Sequence, residues 1–248
     1  MKKNLDNDNI TSSIADLMSA LMIIFLFISI SYMLQISQEK ESISQMAENY
    51  KREKQNMTEI ASKFQLTKYA IYQDLLKEFK DELTLWNAVI DRETLSVRFK
   101  EPDIFFKTGD KQLNNNFKKI LDDFFPRYIK ILSQKKYKDE IEEIRIEGHT
   151  SSEWSEKNTP LKSYFKNMAL SQARTRSVLE YVMSLPELRK YQNFLISKVT
   201  ANGLSYSQRI IKNGKEDFKQ SRRVEFRIRT TAEKHIEEIL LGGSDETN

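Results

Sequence analysis

Residues 143–150 read Glu-Ile-Arg-Ile-Glu-Gly-His-Thr, and this stretch decides the fold of the larger part of the chain. Apolar and polar side chains alternate up to Gly148, which is typical of a strand with one buried face. The same alternation occurs as Thr-Leu-Ser-Val-Arg-Phe over residues 94–99 and as Arg-Val-Glu-Phe-Arg-Ile-Arg over residues 223–229. Three such strands, far apart in sequence, predict one sheet.

Helical spacing appears between these strands. Residues 116–133 and 167–185 carry apolar side chains three and four positions apart, as amphipathic helices do, although Pro126 interrupts the first. Shorter strands are predicted at residues 104–106 and, ending at a glycine, within residues 194–204. This order predicts an α+β fold, a β/α sandwich in which a helix layer covers one face of a sheet.

The composition excludes several classes of protein. The 248 residues are 39% hydrophobic and 31% charged, which is too polar for a multi-spanning membrane protein. The 40 basic and 36 acidic residues nearly balance, so nothing favours nucleic-acid binding. With no cysteine and only His149 and His235, we expect no disulfide, no metal site and no cofactor. The sequence carries no motif of an enzyme, such as a phosphate loop or a nucleophile paired with a base.

One segment of the chain is apolar enough for lipid. Residues 17–34 carry no formal charge. A helix over residues 14–36 spans about 34 Å, which suits a hydrocarbon core about 30 Å thick. The run is too long for a cleaved signal peptide. Because Lys2 and Lys3 precede it, the positive-inside rule predicts that residues 1–13 are cytoplasmic and that the rest of the chain lies in the periplasm.

Asp16 lies near the start of this segment and permits two interpretations. It can be a solvated acid at the helix start, capped by Ser12 or Ser13, where a carboxylate suits the helix dipole. It can instead face another helix or a narrow water path, because intramembrane carboxylates are costly and mark ion or proton pathways. One helix cannot enclose such a path, so partner helices are implied. Small residues that allow close helix packing follow at Ser19, Ala20 and Ser29.

Residues 37–84 are predicted to form a helical linker, because they contain no Pro or Gly and are rich in Glu, Lys, Gln and Ser. In a heptad repeat counted from Ile43, the position three residues after the first is apolar in only two of five repeats. This pattern fits either a solvated helical spacer or a helix with a weak self-pairing seam. The α+β domain then occupies residues 85–230 and a tail occupies residues 231–248. Every first heptad position is apolar: Ile43, Tyr50, Met57, Phe64 and Ile71.

Three motifs in order resemble the OmpA-type peptidoglycan-binding domain. They are Ile-Glu-Gly-His-Thr at residues 146–150, Asn-Met-Ala-Leu-Ser-Gln-Ala-Arg at residues 167–174 and Ser-Arg-Arg-Val-Glu at residues 221–225. The resemblance covers residues 85–230. It implies that this domain holds the peptide of the cell wall.

The resemblance also implies which residues form the site. Arg174 would grip a diaminopimelate carboxylate, because the arginine fork binds a planar carboxylate bidentately. Asn167 and Leu170 would shape the pocket, and Arg222 would join it from the last motif. Without the resemblance, Arg174 would be interpreted as a surface arginine on a helix.

The chain departs from that family at Ser151, where the family usually has Asp. Residues 153–165 also look like an insertion before the helix. The partner for the amino group of the ligand is then weakened, unless Glu153 or Glu156 replaces the missing carboxylate. His149, in the same stretch, is interpreted as a structural residue.

The order of a membrane helix, a helical linker and an OmpA-type domain resembles the B subunits of bacterial ion-driven stators, of which MotB is the flagellar member. Residues 15–22, Ala-Asp-Leu-Met-Ser-Ala-Leu-Met, are similar to that family's Ala-Asp-Phe-Met-Thr-Ala-Met-Met, and Asp16 falls on its ion-carrying Asp. The resemblance implies a homodimer inside a ring of A subunits of the MotA or ZorA type, usually five. It also implies that H⁺ or Na⁺ passes at Asp16.

Among stators, the chain resembles the B subunits of the Zorya anti-phage defence system, the ZorB family, more than flagellar MotB. The resemblance lies in the short Asn-rich N-terminus and in residues 124–128 and 145–152. It implies an inner-membrane motor that responds to envelope damage by phage. A flagellar-type stator subunit and a passive OmpA-type anchor are the alternatives.

Overall fold

The structure is a computed structural model that describes residues 2–100, 106, 110–153 and 159–232. The chain divides into two compact units, residues 1–58 and residues 59–248, and each is described by itself. The first element is helix α1, Lys2–Phe79. In the first unit, the side chains of residues 12–58 are all exposed in the isolated chain, as expected of a helix without a partner.

The second unit is built on a five-stranded sheet. The strands follow the spatial order β1-β2-β7-β3-β4. All neighbours in it are antiparallel except β3 and β4, which are parallel. Strands β5 and β6 form a separate hairpin. The strands are β1 (Ala88–Asp91), β2 (Ser96–Lys100), β3 (Ile141–His149), β4 (Val199–Gly203), β5 (Ile211–Lys212), β6 (Lys215–Glu216) and β7 (Arg223–Thr230).

Helices α2 (Asn115–Leu132) and α3 (Pro160–Met183) precede and follow β3, and α3 connects it to its parallel neighbour β4. Each helix begins at a capping side chain. Asn114 Oδ1 accepts a hydrogen bond from the Phe117 amide at 2.8 Å, and Thr159 caps α3. Such caps satisfy amide groups that have no partner within the helix. Shorter helices complete the unit: a 3-10 helix (Pro186–Tyr191), α4 (Gln192–Lys198) and α5 (Phe218–Ser221).

An aromatic core lies between the helices and one face of the sheet. Phe226, on the central strand β7, has its ring centroid 5.1 Å from that of Phe124 and 5.8 Å from that of Phe99. All three side chains are fully buried. Edge-to-face contacts of this kind add to the free energy gained by burying apolar area. The sequence prediction of a helix layer on one face of a sheet is therefore confirmed.

The last turns of α1 belong to this core. Ile71, Leu75 and Phe79 are fully buried. Arg127 of α2 adds ion pairs to Glu78 at 2.7 Å and to Glu82 at 3.0 Å. The compact unit is thus longer than the predicted domain of residues 85–230, because the helix that leads into it supplies part of its apolar interior.

The structure corrects one sequence prediction of secondary structure and adds strands that were not predicted. Helix α3 begins at Pro160 and not at residue 167, because Thr159 is its cap and proline suits a first helical position. Residues 160–165 of the expected insertion are therefore helical. Of the strand predicted at residues 104–106, only Phe106 is described, and it forms an isolated bridge to Leu113. Strand β1 and the β5–β6 hairpin were missed, because they are too short to show a period.

Candidate functional site

Asp16 lies on the apolar part of α1. Among the described residues there is one helix long and apolar enough to cross a membrane. The Asp16 side chain is exposed in the isolated chain. One turn later, the Ser19 hydroxyl donates to the carbonyl of Ala15 at 2.8 Å, and Ser29 does the same to Phe25. Both hydroxyl groups are satisfied inside the helix, whereas the Asp16 carboxylate carries a charge that requires a partner or water in a membrane.

The second candidate site lies where β3 and β4 end. We call it the loop end, and define it as residues 150–153 after β3, residues 204–208 after β4 and Arg222 before β7. The Thr150 amide donates to the Ser205 carbonyl at 2.8 Å, and the Leu204 amide donates to the Gly148 carbonyl at 2.9 Å. These bonds extend the pairing of β3 and β4 into the loops and hold them side by side.

Ser151 and Arg222 are brought together at the loop end, as expected of members of one site. The Arg222 guanidinium lies 3.5 Å from the Ser151 hydroxyl and donates to Glu153 at 3.0 Å. Glu153 therefore places a carboxylate beside Ser151, the position at which the OmpA-type family usually has Asp. Glu156 lies outside the described residues.

The predicted residues of α3 lie along its buried side and at its edge. Asn167 is buried, and its amide donates to the Ser163 carbonyl at 3.1 Å. Leu170 is half-buried. Ser171 connects this helix to the loop end, because its hydroxyl accepts from the Ser205 amide at 3.1 Å.

Arg174 is only 6% exposed, so it is not an ordinary surface arginine. Its Nε donates to the carbonyl of Asp110 at 2.9 Å, and its guanidinium carbon lies 4.8 Å from the centroid of the Phe106 ring. Stacking on an aromatic face fixes the plane of the guanidinium. A fixed plane favours bidentate recognition of a carboxylate.

Glu216, which no sequence pattern predicted, contacts Ser152 of the loop end. The Ser152 amide donates to one carboxylate oxygen of Glu216 at 3.0 Å, and the Ser152 hydroxyl donates to the other. Arg209 lies 3.7 Å from the same carboxylate. Glu216 belongs to the short β5–β6 hairpin, so only the tertiary fold brings it to Ser152.

The face of the sheet opposite the aromatic core carries charged side chains. Burial lowers the pKa of His149, which keeps its imidazole neutral. Burial alone would raise the pKa of Glu225, but the adjacent Arg223 guanidinium outweighs it, and the pKa falls to about 2. His149 is buried with these groups, which agrees with its interpretation as a structural residue.

The chain has clear relatives among known proteins. A model of the OmpA family matches residues 105–223. Zorya protein ZorB of Escherichia coli strain Crooks is 44% identical over 240 residues, which covers 96% of this chain and 95% of that protein. The chain belongs to the ZorB family. Its second unit therefore contains an OmpA-like domain of α+β fold, as the sequence motifs predicted.

Two solved structures are also similar to this member of the ZorB family. A MotB-like protein from Desulfovibrio vulgaris is 19% identical, with a TM-score of 0.47 over 66% of this chain and 94% of that one. The cell wall anchor of the type VI secretion system from Pseudomonas aeruginosa is 16% identical, with a TM-score of 0.44 over 63% and 96%. ZorB membership and the one apolar helix together indicate a single-pass protein of the inner membrane.

Proposed function

We propose that this ZorB-family chain is the B subunit of an ion-driven rotary motor of the inner membrane, acting in anti-phage defence. The observation that carries the proposal is the 44% identity to Zorya protein ZorB over nearly the whole of both chains, including the apolar helix and the OmpA-like domain. The function is mechanical: ion flow at Asp16 turns partner subunits against an anchor in the cell wall.

The position of Asp16 supports the ion-coupling role. It is the acidic residue within the predicted membrane segment of residues 14–36. Its side chain is exposed in the isolated helix, so a partner or water must surround it in the membrane. One charge crossing the membrane releases about 2.3 kcal/mol per 100 mV. That free energy can drive a change in the contacts between Asp16 and a surrounding subunit, with H⁺ or Na⁺ as the ion.

The proposed assembly is a homodimer of this chain inside a ring of five A subunits of the ZorA or MotA type. The exposed apolar positions Ile43, Tyr50 and Met57 support the dimer, because they recur every seven residues on α1. The N-terminus is proposed to lie in the cytoplasm and the OmpA-like domain in the periplasm, following the basic residues Lys2 and Lys3.

Peptidoglycan is the proposed anchor, held at the loop end and by α3. Arg174 supports this role through its fixed and nearly buried guanidinium. Asn167 and Leu170 are proposed to shape the pocket, with Ser151 and Arg222 at its rim. The Glu153 carboxylate beside Arg222 is proposed to take the part of the family Asp toward the amino group of the ligand.

The decisive experiment replaces Asp16 by Asn in cells that carry the complete defence system. We expect phage protection to be lost while the membrane level of the chain and its co-purification with the A subunit are unchanged. Asp8→Asn, which removes the same charge outside the predicted membrane segment, should protect like the wild type. Full protection by Asp16→Asn would exclude ion coupling at this residue.

Wall binding is tested by sedimentation of the detergent-solubilised full chain with purified peptidoglycan. Arg174→Lys keeps the charge and loses the planar fork, so bound protein should fall several-fold. Arg176→Lys is the matched control, because Arg176 is exposed on the same helix and pairs only locally with Glu180 at 2.8 Å. Equal sedimentation of the two variants would remove Arg174 from the site.

Two other functions make different predictions. A passive anchor would keep its activity when residues 14–36 are exchanged for an unrelated apolar helix, whereas the motor would lose it. A flagellar-type stator subunit would restore motility to a strain lacking MotB, whereas a defence motor would not.

A further inference from the structure

Two carboxylates face each other on the charged face of the sheet. Glu147 of β3 lies directly opposite Glu225 of β7 in the antiparallel register. Their side chains are 3% and 5% exposed. Like charges opposite each other on neighbouring strands destabilise the pair, and burial increases the penalty. A positive group close to both carboxylates is therefore required.

Arginine side chains meet only part of this requirement. Arg98 and Arg223 both donate through Nε to the same oxygen of Glu225, Oε1. Arg98 also pairs with Asp91, at 3.3 Å. Neither arginine makes a hydrogen bond or ion pair with Glu147 among the described contacts. The second oxygen of Glu225 and the carboxylate of Glu147 are the acceptors without a strong donor among the described contacts.

His149 lies next to both carboxylates and makes no hydrogen bond within the criteria for one. Its side chain is fully buried, and neither ring nitrogen has a hydrogen-bond partner among the described residues. Its Nε2 is 3.6 Å from Glu147 Oε2, which is too long for a hydrogen bond. A buried imidazole with two unsatisfied nitrogens is destabilising, so a ligand that binds this ring would stabilise the fold.

We propose that Glu147, His149 and Glu225 bind one divalent transition-metal cation, with Zn²⁺ as the best match. One ligand atom from each residue lies within 4.8 Å of the others. Imidazole nitrogen and carboxylate oxygen bind Zn²⁺ at about 2.0–2.2 Å, and three protein ligands leave its fourth position to a water molecule. The cation supplies the missing positive charge and joins β3 to β7. The proposal departs from the expectation, based on the histidine count, that the chain holds no metal site.

The cation would have a structural role beside the loop end. His149 is the last residue of β3 and leads directly into Ser151, while β7 begins one residue after Arg222. A metal ion shared by these two strands fixes the distance between the loop that carries Ser151 and the segment that carries Arg222. Because the ligands are almost completely buried, we expect the ion to enter as the domain folds.

The test is the metal content of the full chain, expressed with Zn²⁺ in the medium, purified in detergent and freed of any affinity tag. Mass spectrometry of the elements should find about one Zn²⁺ per chain, and added chelator should lower the melting temperature by several degrees. Loss of a ligand in His149→Gln or Glu147→Gln should weaken the affinity for Zn²⁺ by at least about 100-fold.

His235→Gln is the control, because it removes the other histidine of the sequence and should leave the metal content unchanged. Glu225 is not a useful variant, since its replacement leaves Arg98 and Arg223 unpaired. Wild-type protein without stoichiometric zinc, manganese, iron, cobalt or nickel would overturn the proposal and leave a proton shared by Glu147 and His149. Full metal content in the folded Glu147→Gln and His149→Gln variants would overturn it as well.

Discussion

Gly148 and Gly203 lie opposite each other on the parallel strands β3 and β4, and helix α3 lies directly on both. A Cβ atom on Gly203 would be 2.2 Å from the backbone nitrogen of Gln172, and one on Gly148 would be 2.6 Å from Thr175 Cγ2. Because Gly148 and Gly203 have no side chains, the helix that carries Arg174 can pack closely against both strands. Any larger residue at Gly203 must push the helix backbone away.

We expect Gly203→Ala to lower the free energy of unfolding by about 1–3 kcal/mol through overpacking. It should also weaken peptidoglycan binding, because α3 carries Arg174. Thermal unfolding of the full chain in detergent, followed by the fluorescence of buried Trp86, measures the first effect. Gly214→Asn is the control: its φ is +75°, which Asn tolerates, and nothing lies within 4 Å of its added Cβ. Equal melting temperatures for the two variants would contradict the close packing.

The final turns of α1 should contribute to domain stability as core residues do. Ile71→Ala removes a fully buried side chain and should cost about 2–5 kcal/mol of unfolding free energy. Ile43→Ala changes the same residue type at the same heptad position, where the side chain is 67% exposed, and should change that free energy by less than about 0.5 kcal/mol. Urea denaturation monitored at Trp86 compares the two. A similar small loss in both variants would place residues 59–79 outside the domain.

The ion pair between Asp74 and Lys136 should make stability depend on pH. The hydrogen bond from Lys136 lowers the pKa of Asp74 below its usual value, so the contribution is present at neutral pH. It is lost as the pH falls through the lowered folded-state pKa, because protonation of the carboxylate breaks the pair. The side chains of Lys136 and Asp74 are 53% and 35% exposed, so solvent screens the pair and Asp74→Asn should cost at most about 1 kcal/mol at pH 7.

Melting curves of Asp74→Asn and the wild type, recorded from pH 7 downward, check this expectation. The difference in melting temperature should be constant down to about pH 4 and shrink below it. Asp81→Asn, at an exposed position two residues beyond the helix end, should show no such difference at any pH. A difference in melting temperature between Asp74→Asn and the wild type that grows as the pH falls would contradict this expectation.

Restoring the family carboxylate should strengthen wall binding. In Ser151→Asp the new side chain meets the Arg222 guanidinium, which already lies 3.5 Å from the Ser151 hydroxyl. We expect several-fold more protein to sediment with peptidoglycan. Ser152→Asp should act in the opposite direction, because Ser152 contacts the Glu216 carboxylate and two carboxylates would repel. A Ser151→Asp variant that binds less than the wild type would contradict a ligand amino group beside this position.

Local patterns predicted most of the second unit. The alternation over residues 143–148 and 223–229 was sufficient for β3 and β7, because one face of each strand is buried against the helices. Helix α2 was predicted within one residue at each end, and Pro126 lies inside it without ending it. The predicted start of α3 was seven residues too late. The prediction relied on apolar spacing, whereas the helix begins directly after the capping residue Thr159.

The loop end could be predicted only in part. Ser151, Asn167, Arg174 and Arg222 were predicted as site residues because they lie in or directly after motifs that extend over adjacent residues. Glu216 could not be identified, because its contact with Ser152 joins residues 64 positions apart through a two-residue strand. Long-range contacts of this kind leave no periodic signal in a single sequence.

The sequence by itself determined the elements whose signal is local: the apolar helix with Asp16, the alternating strands and the motifs shared with OmpA-type domains. Tertiary structure decided which side chains meet. It placed Ile71 in the core, Glu216 beside Ser152 and, on the charged face, Glu147 opposite Glu225 with His149 beside them. The reason is physical. Hydrophobic periodicity reports which face of an element is buried, whereas the register between strands distant in sequence sets the partners of buried charges.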